Sequence, residues 1–320
     1  MSKIYFVTII LFLFSCTKEI EIKIPKEKHK LVVYSTIVPL TFPYPKDLGI
    51  KLQSSKHIFD TTTSIINDAQ VLYYENNILK DTLKYIDSIN TYVISKSMND
   101  YPIVNNSYSI KIIKSGFDTI TANTTIPSKV KITDTVITPI AYFDETGSVF
   151  SEIAITFTDP INETNFYEVA VSNIAFNYDN PYDFYELSTN DNIITSESYY
   201  PSLMRFDVDK PKYLLFTDKE INGKEHTLNI YYTPPRNLHE NGSEYISNHY
   251  ISIHLRNVTK EYYEFKTTMI QHLYSKQEDI LYGMGEPLNV KSNIKNGYGL
   301  FAGFNNDIVS LHIDEQIISK

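Results

Sequence analysis

The chain has one cysteine, Cys16, and no tryptophan among its 320 residues. A single thiol excludes an internal disulfide and a cysteine-built metal cluster, so the fold rests on its core, which a chain of this length can supply. A sugar-stacking platform usually draws on tryptophan; the abundant tyrosine (26) and phenylalanine (17) are better matched to half-buried strands. Basic residues are short as well. Lys and Arg total 29 against 38 Asp and Glu, and residues 1–15 carry only Lys3, which leaves 28 against 38 beyond that segment. So acidic a chain is a poor match for nucleic acid, and no nucleic-acid partner is expected. No apolar run reaches the roughly 20 residues of a membrane-spanning helix.

Catalytic sets are missing too. His249 and His254 lie five apart in one strand-like stretch, which puts them on opposite faces; no shared metal and no cofactor is expected. No serine sits in a Gly-x-Ser-x-Gly elbow. The acidic clusters Asp179–Asp183 and Asp207–Asp209 lack the glycine and closing glutamate of a calcium loop. One polar face remains for chemistry: Tyr250, Ser252, His254 and Arg256 share a side of that strand. It is expected to meet water, and it is the one place where a hydrolase site would be sought.

What is present begins at the first residues. Ile4 to Phe14 is apolar, follows Lys3, and is closed by Ser15, Cys16 and the charges of Lys18 and Glu19. That is the layout of a secretion signal. Leu13-Phe14-Ser15-Cys16 resembles the bacterial lipobox, in which the residue after the cut is a cysteine that becomes acylated. Residues 1–15 then form the signal peptide and Cys16 the lipid attachment site. Two or three acyl chains hold a protein on a membrane almost permanently, at about 0.8 kcal/mol per buried methylene. Residues 16–30, charged and free of glycine, read as a tether whose last 14 or so residues reach about 45 Å when extended. Lys18, Glu19 and Glu21 resemble a surface-export signal, so an outer-membrane position facing outward is expected.

The rest is dominated by period-two alternation. Tyr108, Ile110 and Ile112 fall on one side of Ser107–Ile113, and Ile120, Ala122 and Ile126 on one side of the return strand, a hairpin turned at Lys114-Ser115-Gly116. Further strands are expected at Leu31–Val38, Ala69–Tyr74, Ile78–Leu83 and Thr91–Ser95, enough for a small sandwich over 31–127. A larger β domain over 128–320 follows, with strands at Ser151–Phe157, His226–Tyr232 and Ile251–Leu255. One amphipathic helix is expected near 259–276, with Tyr262, Phe265, Met269 and Leu273 on its buried face and Asn257 or Thr259 as its cap. Tyr178–Pro211 has no clear period and reads as loops. Five of the ten glycines fall between Gly283 and Gly303; "NGYGLFAGF" (296–304) is expected to hold unusual backbone angles or a close approach of chains, with a turn at Asn296-Gly297 and Val309, Leu311 and Ile313 on the core side of the last strand.

Taken together, "NDAQVLYY", "YSIKIIKSGFDTITANTTIP", "FTDPINETNFYEV", "ISIHLRNVTKEYYEF" and above all "EPLNVKSNIKNGYGLFAGFN" resemble a Bacteroidota lipoprotein family known as domain of unknown function 4249. The first block also resembles immunoglobulin-like or prealbumin-like sandwiches. The resemblance implies an outer-membrane lipoprotein that accompanies a TonB-dependent β-barrel transporter in nutrient capture, and it implies no catalytic residue. Tyr182, Tyr185, Tyr199, Tyr298 and Phe301 are the candidate partner or ligand surface. A stand-alone adhesin or envelope structural module is the alternative.

Overall fold

The computed structural model describes residues 28–39, 49–56, 64–94, 101–173, 183–194, 212–282 and 288–318. The chain is mainly β. Its first part supplies β1 (Leu31–Ile37), β2 (Gly49–Ser54), β3 (Gln70–Glu75), β4 (Ile78–Thr82), β5 (Lys84–Ile86), β6 (Thr91–Val93), β7 (Ser107–Ile113) and β8 (Ile120–Thr125). Next come β9 (Ile132–Phe143), β10 (Val149–Thr158), β11 (Phe166–Asn173), β12 (Asp183–Phe184), β13 (Leu187–Ser188), β14 (Leu214–Thr217) and β15 (Glu225–Tyr232). The last part holds β16 (Arg236–Leu238), β17 (Glu244–Ile246), β18 (His249–Val258), helix α1 (Lys260–Tyr282), β19 (Tyr298–Ile313) and β20 (Gln316–Ile317). Alternation places these strands because one face of each is buried: Tyr108, Ile110 and Ile112 of β7 are all in the core while Ser107, Lys111 and Ile113 are exposed.

The organising element is one large sheet in the order β12-β11-β18-β19-β1-β2-β6-β5, with β14 also pairing β11. Two four-stranded sheets, β4-β3-β7-β8 and β13-β15-β10-β9, supply the partners for its two hydrophobic cores. The long strand β19 belongs to both cores. Its first half, Tyr298 to Gly303, runs parallel to β1, and its second half, Phe304 to Ile313, runs antiparallel to β18. The first core gathers residues from Leu31 to Ile126 together with Ile294 and Phe301. The 31–127 sandwich therefore takes a strand from 298–303, 266 residues beyond its partner β1, and the division at 127/128 separates the sequence more cleanly than it separates the packing. Alternation reports which face of a strand is apolar but not which strand lies beside it.

The passage between the cores is tied to the large sheet. Asn305 and Asn257 donate their side-chain amides to the carbonyls of Pro127 (3.2 Å) and Ser128 (3.0 Å). Asp307 accepts from the Ile132 N–H (2.9 Å) and pairs with Lys129 (2.7 Å).

Helix α1 lies on the opposite face of the large sheet, where Tyr262 and Phe265 pack with Val38, Val258, Leu300, Ala302 and Phe304. It runs six residues beyond the expected Lys276. Met269 joins the buried face as expected, whereas Leu273 is exposed and Ile270 is buried instead. Neither expected cap works through its side chain: Thr259 Oγ1 and Asn257 Oδ1 have no hydrogen-bond partner, and Thr259 contributes its carbonyl to Tyr263 N–H (3.1 Å). Among the described residues no helix is long and apolar enough to cross a membrane.

The glycine-rich stretch is a close approach of chains. Gly299 sits at φ +106°, and a Cβ there would collide with the carbonyl of Val33 on the parallel neighbour; at Gly303 it would collide with the carbonyl of Thr125. Asn296, at φ 63°, makes the turn before β19. In the second half of β19, Ile313 is in the core and Leu311 packs against it.

Candidate functional site

Between α1 and the large sheet lies a buried cluster of charge. Glu168 is the third residue of β11, in the otherwise apolar run Phe166–Val171, and stands directly across from Arg256 of β18. Helix α1 presents Tyr262 and Lys266, four apart and so on one face, to the same carboxylate. Arg256 Nη1 donates to Glu168 Oε1 in a very short contact, the Tyr262 hydroxyl donates to Oε2 (2.8 Å), and Lys266 Nζ stands 3.7 Å from Oε2. The Glu168 side chain is 1% exposed, and those of Arg256 and Lys266 are 18% each. Aromatic rings wall the group: Lys266 Nζ lies 4.1 Å from the centre of Tyr213, and the Arg256 guanidinium 5.3 Å from Phe304 and 5.9 Å from Phe184.

Burial works against every charge here, and the balance differs residue by residue. For Glu168, burial alone would raise the carboxyl, but Arg256, Lys266 and the Tyr262 hydroxyl outweigh it and hold it below its ordinary value. Burial lowers Lys266, and the distant carboxylate does not restore it. Arg256, in direct contact with Glu168, is held up. The nearer cation takes the pairing and the farther one is left partly uncompensated. Arg256 Nε is buried with no hydrogen-bond partner.

The polar side of β18 continues this cluster inward and does not meet water as expected. His254 is 4% exposed, bonded through Nε2 to Ser172 Oγ (3.0 Å) and through Nδ1 to the Asn306 amide (3.3 Å). Ser252 and Ser310 share a hydrogen bond (2.7 Å), and only at the far end do Tyr250 and His312, rings 4.5 Å apart, reach solvent. The second core takes Ile251, Ile253 and Leu255 on one face of β18; on the other, the Phe184 ring stands 5.8 Å from that of His254, and α1 packs on Val258 and reaches the Glu168–Arg256 pair.

Ser172, His254 and Asn306 form one hydrogen-bonded chain across β11, β18 and β19, and all three are buried. Burial, with Arg256 nearby, pushes His254 down to about 3, so it stays neutral at physiological pH. Ser172 is fully buried. This arrangement orders the strands. Among the described residues no group of three His, Cys, Asp or Glu side chains is placed to hold a metal ion.

Of the candidate surface residues, the described ones, Tyr185, Tyr298 and Phe301, are not brought together. Cys16, Tyr182 and Tyr199 lie outside the described residues. Tyr185 packs on Tyr232 in the second core (4.9 Å between ring centres), and burial, with Asp183 adding, raises its hydroxyl to about 12. Phe301 is a correction: it is fully buried in the first core, because odd positions of β19 face the small sheets while Leu300 and Ala302 face α1. Tyr298 alone among the described candidates is open, 41% exposed, with Lys30 Nζ 4.7 Å above its ring. Sequence reasoning passed over Glu168 and Lys266; the available signal was an acid set within the apolar run of β11.

The family whose description reads "Domain of unknown function (DUF4249)" matches residues 17–308, and the chain belongs to that family. No curated protein matches the chain.

Proposed function

We propose that this DUF4249 protein is an outer-membrane lipoprotein, acylated at Cys16, that serves without catalysis as the accessory partner of a TonB-dependent β-barrel transporter in nutrient capture. The observation that carries this reading is the position of the chain's one cysteine, at the end of a lipobox-like signal and at the start of a charged tether. The tether leads to β1, an interior strand of the large sheet, so the body it anchors is held through its main structural layer. At that end, Lys28 pairs with Asp118 (3.0 Å) and Lys30 covers the exposed Tyr298. This end is the proposed contact with the partner. The burial of Ser172, His254 and Asn306 away from solvent favours a scaffold over a hydrolase.

The test is purification from outer membranes in mild detergent, with a tag after Lys320 and Cys16 intact, followed by identification of what co-elutes. A stoichiometric β-barrel transporter supports the proposal. A lone lipoprotein overturns the accessory role and leaves the adhesin or structural module. A Cys16→Ser variant recovered in the soluble fraction supports the anchor separately.

A further inference from the structure

We infer that the junction of the large sheet and helix α1 carries, at Arg256 of β18 and Lys266 of α1, a binding site for a small oxyanion, a carboxylate or a phosphate group. This inference stands apart from the proposed membrane role and rests on the charge balance of the cluster. Glu168 contributes one negative charge and faces two cations; among the described residues no other carboxylate pairs with either. The carboxylate is already committed, Oε1 to Arg256 Nη1 and Oε2 to Tyr262. Lys266, at 3.7 Å, is beyond a hydrogen bond to it.

One further donor is unmet. Arg256 Nε–H is buried without an acceptor, and a buried donor left unsatisfied is destabilising. An oxyanion beside that edge of the guanidinium supplies the acceptor and the missing negative charge together. The planar guanidinium suits carboxylate and phosphate oxygens, whereas chloride offers no matching pair of acceptors. The rings of Tyr213, Phe184 and Phe304 lower the local polarity, which strengthens such a contact. The group is not sealed: Arg256 and Lys266 keep part of their side chains exposed, and Tyr34, packed on Phe265 of α1, is 45% exposed.

The experiment titrates the full mature protein in mild detergent with sodium acetate and, separately, inorganic phosphate, at ionic strength held constant with chloride, reading heat of binding and the unfolding temperature. A saturable response to acetate alone assigns a carboxylate, to phosphate alone a phosphoryl group, and to both a general oxyanion site; each supports the inference if Lys266→Met weakens it at least tenfold. Lys266→Met is suited to this because it keeps the apolar stem and removes the surplus charge, so it should fold. Lys260→Met, at an exposed lysine of the same helix, should leave binding unchanged. No response beyond chloride, or a response equal in wild type and Lys266→Met, overturns the inference.

Discussion

Replacing Glu168 by glutamine tests the reasoning about the buried cluster most directly. The amide keeps nearly the same shape and still accepts from Tyr262, but it removes the one carboxylate that Arg256 and Lys266 share. Breaking a buried ion pair by deleting one partner costs about 3–5 kcal/mol, because the surviving charge stays buried without compensation. At roughly 2–4 °C per kcal/mol for chains of 150–250 residues, that is a fall of about 6–20 °C in Tm, with the lower end expected for this longer chain. Calorimetry or far-UV circular dichroism at pH 7 reads it. Adding Lys266→Met to Glu168→Gln should recover part of the loss, since it removes one of the two facing cations. The pH dependence has a definite sign. The folded-state value of Glu168 lies below its ordinary 4.5, so its contribution is complete above 4.5 and is lost as pH falls through the lower folded value. Glu168→Gln should lack that acid limb. A Glu168→Gln protein within about 1 kcal/mol of wild type, or a double variant no more stable than the single one, would refute the account.

Three further outcomes are expected. His254 near 3 in the fold against an ordinary 6.5 means that the unfolded chain binds more protons between those values; stability should drop as pH falls through that window, by up to about 5 kcal/mol, and His254→Gln should flatten the slope in denaturant titrations at stepped pH. Gly303→Ala should cost several kcal/mol or prevent folding, because the backbone carbonyl of Thr125 occupies the space of its Cβ, whereas Gly116→Ala, at φ +84° with open space around it, should cost about 1–2 kcal/mol in parallel melts. Phe301→Ala should destabilise by about 3–5 kcal/mol without changing which proteins co-purify; a loss of partner with unchanged Tm would restore Phe301 to the contact surface.

Local pattern determined much of this protein. The hairpin of β7 and β8 was legible because each strand alternates apolar and polar side chains and has a glycine at the turn, and α1 because Tyr262, Phe265 and Met269 recur at helical spacing. The crowding of Gly297, Gly299 and Gly303 predicted a close approach of chains, and family membership followed from motifs spread over nearly the whole chain. Tertiary structure alone decided what each face meets. β1 and β19 pair across 266 residues, and that pairing places Phe301 in the first core and joins strands of both cores in one sheet. The polar side of β18 reads in sequence as a solvent face, and a strand exposed on one side would carry just such residues. Here Phe184 packs near His254 and α1 closes over the Arg256 end, so the same residues become a hydrogen-bonded interior, with His254 held neutral and Arg256 paired to Glu168. Periodicity records that two side chains point the same way; burial depends on what packs there from elsewhere in the chain, and no local pattern carries that.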